Sequence, residues 1–423
     1  MSESADAALE AAFRDEWPRL IGATLRLVGD LQTAEDVVQE TLLAALDRWP
    51  LLGVPERPGA WLMTACRNRA RNVIRDNGRA HQQVRSLQPL LAAEGHAADV
   101  EPPDIPDDRL RLIAMCCHPL LQTDAQVALT LRMVAGLTTD EIARGLHVPV
   151  STVAQRIVRA KRTLSTHRVA FANDQPDVHS RLAAIVDVIY LVFTEGYLPS
   201  AGETLTRSDL AAEGHRLALL LTELTPGEPE AWALRALTSF QLSRWATRVD
   251  ADGMLLTLDA QERGLWDRNL IADGVEALGR ALDQALQTER GGRGPLLLQA
   301  QLAACHATAA TFAATDWGAI LALYDELIAV QDTAVVALNR AVAVAMAAGP
   351  AAALPLLDEL ADEPALRDSH RVWAVRAEMH RRLGDMAAAQ ADYDRALHLV
   401  GNDVERRYLA AARYRSITGN SSA

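Results

Sequence analysis

A chain of 423 residues that is 49% hydrophobic and 23% charged holds enough core for two to four domains and is too apolar for wholesale disorder. Its net charge of −13 is uneven: residues 1–175 hold 20 Lys+Arg against 22 Asp+Glu and the remainder 22 against 33, so whole-chain acidity does not exclude a nucleic-acid partner for the N-terminal part. Only 4% of residues are aromatic and alanine-rich runs carry much of the hydrophobicity, which predicts an all-α protein of closely packed helices; no membrane span is expected, because the longest apolar run, Ala341 to Leu357, is broken by Gly349, Pro350 and Pro355.

Met1 to Glu16 is acidic and lacks an apolar leader core, and four cysteines (Cys66, Cys116, Cys117, Cys305) make no disulfide framework, so a cytoplasmic protein is expected. Residues 6–49 read as two helices broken at Gly29-Asp30. Thr33 is the expected N-cap of the second, whose apolar positions Ala34, Val37, Val38, Thr41, Leu42, Ala45, Leu46 and Trp49 follow the helical period. Pro50, Pro55 and Pro58 then mark a loop. A third helix is expected from Gly59 to Asp76, ended by Asn77-Gly78.

That third helix lies in a basic patch, Arg57 to Arg85, with seven arginines against one acid, Asp76. Arg67, Arg71 and Arg75 recur at spacing four, with Asn68 and Asn72 beside them. Guanidinium groups fit phosphates and amides pair with exposed base edges, so this face suits opened DNA, while Trp61 either stacks on an unpaired base or packs in the core. Cys66 falls on the apolar side. Residues 87–106, with Pro89, Gly95, Pro102, Pro103 and Pro106, have the composition of a linker.

A second helical block runs from Asp107 to Arg168. Within it a short helix, Thr139 to Leu146, meets the turn His147-Val148-Pro149, and a second helix opens with Ser151 as expected N-cap. Val153, Ile157, Ala160 and Leu164 form one apolar stripe. Ser151, Thr152, Gln155, Arg156, Arg159 and Arg162 lie opposite or beside it, the pattern of a helix-turn-helix whose second helix enters the major groove.

Asn173 to Asp177 marks a further boundary, after which helix follows helix, with a Gly291-Gly292-Arg293-Gly294-Pro295 loop. Thr315-Asp316, Gly349-Pro350 and Gly384-Asp385 recur at spacings of 34 and 35, the period of tetratricopeptide helix pairs, and Trp373, Ala377, Ala389, Tyr393 and Ala396 fit the bulky and small positions of that repeat. Cys116-Cys117-His118 lacks the spacing of a metal site, the glycine loop follows no strand, and no nucleophile sits beside a base in the sequence. Neither an enzyme nor a cofactor is expected.

Together these blocks resemble the sigma-70 family of bacterial transcription initiation factors, in particular its extracytoplasmic-function (ECF) type. The resemblance rests on Leu31 to Thr41 (LQTAEDVVQET), on Pro58 to Asn72 (PGAWLMTACRNRARN), and on Leu137 to Ala143 (LTTDEIA) with Val150 to Val153 (VSTV) and Arg159 to Arg162 (RAKR), in the family's order. It implies sigma region 2 in residues 1–80, a flexible linker in 81–106 and sigma region 4 in 107–172. It implies core RNA polymerase and promoter DNA as partners. Asp36, Gln39 and Glu40 would then face polymerase, Trp61, Arg67, Asn68, Arg71, Asn72 and Arg75 the −10 element, and Ser151, Thr152, Gln155, Arg156, Arg159 and Arg162 the −35 element. Residues 177–423 resemble the tetratricopeptide-like extension of one ECF subgroup, with Tyr190 to Tyr197 (YLVFTEGY) as a recognisable stretch, which implies regulation by a fused domain acting through an intramolecular or protein partner. Two other readings compete. A helix-turn-helix regulator with a repeat sensor leaves the Arg/Asn helix unexplained, and a repeat scaffold explains neither basic patch.

Overall fold

A computed structural model describes residues 16–85, 107–146, 148–167, 169, 178–197, 208–250, 253–287, 293–367 and 369–418. The expected linker at 87–106, His147, the boundary at Asn173–Asp177 and Gly291-Gly292 lie outside them. Among the described residues the chain is helical, and its single β feature is an isolated bridge, Val249 to Leu255. It divides into two compact units, residues 1–189 and 190–423, with the division inside one helix, α8 (Val178–Tyr197).

The first unit contains α1 (16–28), α2 (Leu31–Leu52), α3 (Pro58–Arg85), α4 (Asp107–Cys116), α5 (Thr123–Met133), α6 (Thr139–Leu146) and α7 (Val150–Thr166). Trp17, Leu20, Ile21 and Leu25 of α1 are sealed from solvent, as are Ala34, Val37, Val38, Ala45 and Trp49 of α2 and Leu62, Cys66 and Ala70 of α3. The expected apolar face of α2 is thus buried with two exceptions, of which Leu42 is half-buried. Leu46 is 44% exposed, because it belongs to the outward row that also carries Leu43.

Several helix boundaries differ from the sequence expectation. Asp30, not Thr33, caps α2: its backbone is extended, and its carboxylate accepts from Thr33 N and Thr33 Oγ1, both at 2.8 Å, so the helix starts at Leu31. Pro50 does not end α2. It sits in the last turn, where only one hydrogen bond is forfeited, and the helix stops at Gly53, whose φ of 87° turns its N–H onto the Trp49 carbonyl at 3.0 Å. Helix α3 runs through Asn77-Gly78 to Arg85, since neither residue removes a backbone donor and a glycine costs only about 1 kcal/mol in a helix. Helix α7 is not capped by Ser151. Pro149 holds the N-cap position and its carbonyl takes the Thr152 and Val153 amides at 2.9 and 3.2 Å.

In the second unit α9 (Ser208–Leu224), α11 (Arg268–Gln287) and α12 (Pro295–Thr308) all pack on α10 (Pro229–Ser243). Being surrounded, α10 buries nearly its whole circumference, including Thr238 and Ser239. Their hydroxyls are satisfied: Ser239 Oγ shares its one hydrogen between the Arg235 carbonyl at 2.8 Å and Asp273 Oδ2 at 2.7 Å, while Thr238 Oγ1 meets His215 Nδ1 at 2.9 Å. Gly274 lets α11 approach closely, for a Cβ there would stand 2.7 Å from the Phe240 ring.

From there the helices pack in sequence: α13 (Trp317–Val330), α14 (Ala334–Ala348), α15 (Pro350–Asp362), α16 (His370–Leu383), α17 (Met386–Leu399) and α18 (Asp403–Thr418), each on the next. The 34- and 35-residue repeat marks the starts of α13, α15 and α17. Asp316 and Asp385 cap two of these through their carboxylates, to Ala319 N at 2.9 Å and Ala388 N at 3.1 Å. In the last pair Ala377, Ala389, Tyr393 and Ala396 are buried and Trp373 is half-buried, so small side chains allow the helix contacts that the period predicts.

Candidate nucleic-acid interface

Helix α3 buries Leu62, Cys66 and Ala70, and burial pushes the Cys66 thiol up to about 11, outweighing hydrogen bonds from Thr41 and Thr24. The opposite face is open. Asn68, Arg71, Asn72 and Arg75 are exposed and Arg67 is half-exposed; Arg75 donates to Asn72 Oδ1, and Arg67 and Arg71 carry no ion pair among the described residues. Trp61 is half-buried and meets Trp49 in a T-shaped contact, with ring centroids 5.7 Å apart, so part of its ring is committed to packing. Arg69, between these positions, donates through Nε to Glu40 Oε2 at 2.6 Å and ties α3 to α2.

The helix-turn-helix is present as expected. Helix α6 opens with a reciprocal capping box in which Thr138 N donates to Glu141 Oε2 at 2.7 Å and Glu141 N donates to Thr138 Oγ1 at 3.2 Å. On α7 the stripe Val153, Ile157, Ala160 and Leu164 is buried, which turns Ser151, Gln155, Arg159 and Arg162 outward and leaves Thr152 and Arg156 at the flank. Arg159 and Arg162 carry no ion pair among the described residues, whereas Arg156 is bonded to Asp124 of α5 at 2.7 Å. Sequence reasoning passed over Val158, an apolar residue 64% exposed in the middle of this polar face.

On α2, Asp36 and Glu40 are exposed and Gln39 is half-buried, and exposed Leu43 continues their row. Gln39 Nε2 donates to Glu35 Oε1 at 3.1 Å. Glu35 itself is buried, with Arg132 at 2.6 Å and Lys161 on its other oxygen, a cluster that sequence periodicity did not single out because its members stand about 100 residues apart. Cys116 and Cys117 are sealed from solvent and burial raises both thiols, Cys117 to about 12. Among the described residues no group of three His, Cys, Asp or Glu side chains could hold a metal, and no helix is long and apolar enough to cross a membrane.

Comparison with known proteins follows the same division. Residues 12–80 match the model of sigma-70 region 2, residues 111–164 that of sigma-70 region 4, and residues 181–282 a family of unknown function (DUF6596). An uncharacterized protein of Rhizobium meliloti is 37% identical over 93% of this chain and 92% of its own. The ECF RNA polymerase sigma factor SigL of Mycobacterium tuberculosis is 32% identical over 38% of this chain and 89% of its own. Yeast Tom70 aligns with 99% of this chain and 85% of its own at 11% identity, but its TM-score of 0.32 is too low to define a shared fold. With both sigma regions matched in order on the segments that carry the two outward polar faces, the chain belongs to the sigma-70 family of RNA polymerase sigma factors, in its ECF type.

Proposed function

We propose that this protein binds core RNA polymerase through the Asp36, Gln39 and Glu40 face of α2, holds opened −10 DNA on the Arg67, Asn68, Arg71, Asn72 and Arg75 face of α3, and reads the −35 duplex with α7. The observation that carries this reading is that both sigma-matched segments present a separate, exposed Arg-rich helix face while burying the opposite apolar side. Exposed arginines supply phosphate contacts and orientation. We assign Ser151 and Gln155, nearer the start of α7, to base edges, and Arg159 further along to a phosphate or a guanine. Trp61, only half-buried, is assigned to stacking on an unpaired base through the part of its ring face that Trp49 leaves uncovered. Such a protein works in the cytoplasm, without catalysis or cofactor of its own.

Residues 1–80 then form region 2, 81–106 the linker, 107–172 region 4 and 177–423 the helical extension, which we assign a role in activation through an intramolecular or protein partner. A fused inhibitor needs a releasing signal, which an activating extension does not. The experiment is run-off transcription with purified core polymerase on promoter fragments, comparing the full chain with one ended after Tyr197. Ending there keeps Leu182, Ile185, Val186 and Val188, which are buried in α8. Promoter-dependent starts by the full chain and weak starts by the shortened one support the reading. Dependence on a second sigma factor would favour a regulator, and stronger starts by the shortened chain would make the extension inhibitory.

A further inference from the structure

In the second unit, helices α16, α17 and α18 wall one side of a cavity of about 790 Å³, and residues of the segment 249–260 wall the other. That segment is pinned by its own backbone. Leu256 N donates to the Arg248 carbonyl at 2.9 Å, Met254 N to Asp250 Oδ1 at 2.8 Å, and Gln261 Nε2 to the Leu256 carbonyl at 3.0 Å. Arg248, only 4% exposed, donates to the Tyr197 carbonyl and lies 3.9 Å over the Tyr197 ring, which ties the segment to the end of α8. A cavity of this volume between a helix stack and a fixed wall has room for a small molecule and is too small for a folded partner.

The helix side of the cavity is rich in hydrogen-bond donors. Its one acid, Glu378, is already spent: Arg381 Nε and Nη2 and Arg382 Nε each donate to it at 2.8 Å, and the Tyr393 hydroxyl donates to Oε2 at 3.3 Å. Two guanidinium groups on one carboxylate leave a net positive charge there. Tyr408 and Arg415, seven residues apart, share one face of α18. Burial raises the Tyr408 phenol, so its hydroxyl stays protonated and can donate. Neither that hydroxyl nor the Arg415 guanidinium has a hydrogen-bond or ion-pair partner among the described residues.

Apolar surface completes the lining, from Met254, Leu255 and Leu256 on the segment and Met386 on α17. We propose that this cavity binds a small organic carboxylate with an apolar body, whose carboxylate is received by Arg415 and the Tyr408 hydroxyl and whose body lies against these methionine and leucine side chains. A carboxylate on an arginine makes charge-assisted hydrogen bonds, and the neighbouring phenol adds one more. Asp259, exposed on the segment, opposes such a ligand and would favour a cation. Its removal therefore reads the sign of the ligand's charge. The site is independent of the transcriptional role proposed above, because binding to it needs neither polymerase nor promoter.

The test is fluorescence titration of the free full chain with dansyl-labelled undecanoate, and with its methyl ester as the uncharged match. Wild type is expected to bind one undecanoate per chain, and the ester at least about tenfold more weakly. Arg415→Gln should weaken undecanoate about tenfold and leave the ester unchanged, while Asp259→Asn should tighten undecanoate several-fold. Both positions are exposed, so these variants keep the test usable if Ala411→Trp, which fills the cavity from α18 and should abolish binding, does not fold. No saturable binding by wild type, equal affinity for acid and ester, undecanoate binding unchanged by Arg415→Gln, or binding retained by folded Ala411→Trp would each overturn the site. Weaker undecanoate binding in Asp259→Asn would overturn the assignment of an anionic ligand.

Discussion

Arg156 and Asp124, 32 residues apart in the chain, are joined at 2.7 Å, so one arginine of α7 is held against the first turn of α5. Its guanidinium is directed along the flank of α7 and not away from it. Asp124→Ala removes an acid beside the helix proposed to face DNA and should release Arg156 to a phosphate. Affinity for duplex DNA should rise several-fold at low salt, with the slope of log K against log salt steeper by about one unit. An unchanged slope in a salt titration would mean that Arg156 stays on the flank without its partner.

Arg159 has no such restraint. Arg159→Ala should weaken binding in one of two distinguishable ways: a lost phosphate contact lowers the salt slope by about one and weakens all sequences alike, while a lost guanine contact costs about 1–3 kcal/mol at a single base pair. Competition binding against a set of single-base variants of the −35 site separates them. Equal binding by the variant and wild type would take Arg159 out of the interface.

How much of this was legible in the sequence depended on range. The stripe Val153, Ile157, Ala160 and Leu164 and the open face of α3 follow from local helical period, and the structure places them as that period requires. The helix-pair register followed from spacing, because Asp316 and Asp385 repeat a local capping role at the starts of α13 and α17. Boundaries were less legible: Asp30 and Thr33 are both good caps, and only backbone geometry decides between them. The Glu35 cluster was invisible, since nothing local to Glu35 announces partners 97 and 126 residues away.

Val158 illustrates the same limit from the solvent side. An exposed valine between Gln155 and Arg162 has no packing role, but its methyl groups suit the 5-methyl of a thymine in the major groove. Val158→Ala should cost about 1 kcal/mol at one A·T position and leave other positions unchanged. Selection of preferred −35 sequences by each protein from a randomised pool would show it. The same thymine preference in both pools would remove the contact.

Asn72, exposed on α3, should act after duplex binding. Asn72→Ala is expected to slow open-complex formation, and because unpairing a base costs a few kcal/mol, a premelted promoter should restore part of the rate if the defect is in melting. Potassium permanganate footprinting of the opened strand on both templates reads this directly. Equal defects on both would assign Asn72 to capture of the unpaired base, and full activity on both would retire the α3 face.

The second unit carries a pH dependence of predictable sign. Burial first, then the nearby Arg244 and Arg263, pushes the His306 imidazole down to about 4 from an ordinary value of 6.5, and its Nδ1 is buried without a hydrogen-bond partner. The unfolded chain therefore binds a proton between pH 6.5 and 4 that the folded unit refuses, so stability is full above pH 6.5 and falls as the pH drops through that window. At 1.36 kcal/mol per pH unit, wild type should lose about 2–3 kcal/mol from this residue by pH 4.5. Glu378 behaves oppositely in origin: burial would raise it, but the hydrogen bonds from Arg381 and Arg382 together hold it below the usual carboxylate range, so its contribution is lost only below pH 4.5. The two windows barely overlap. Urea denaturation of the full chain at pH 7.0, 6.0, 5.0 and 4.5, for wild type and His306→Gln, isolates the histidine. The difference in stability between the two proteins should narrow or reverse by about 2–3 kcal/mol across that range, and a difference independent of pH would show that His306 is not held neutral by the fold.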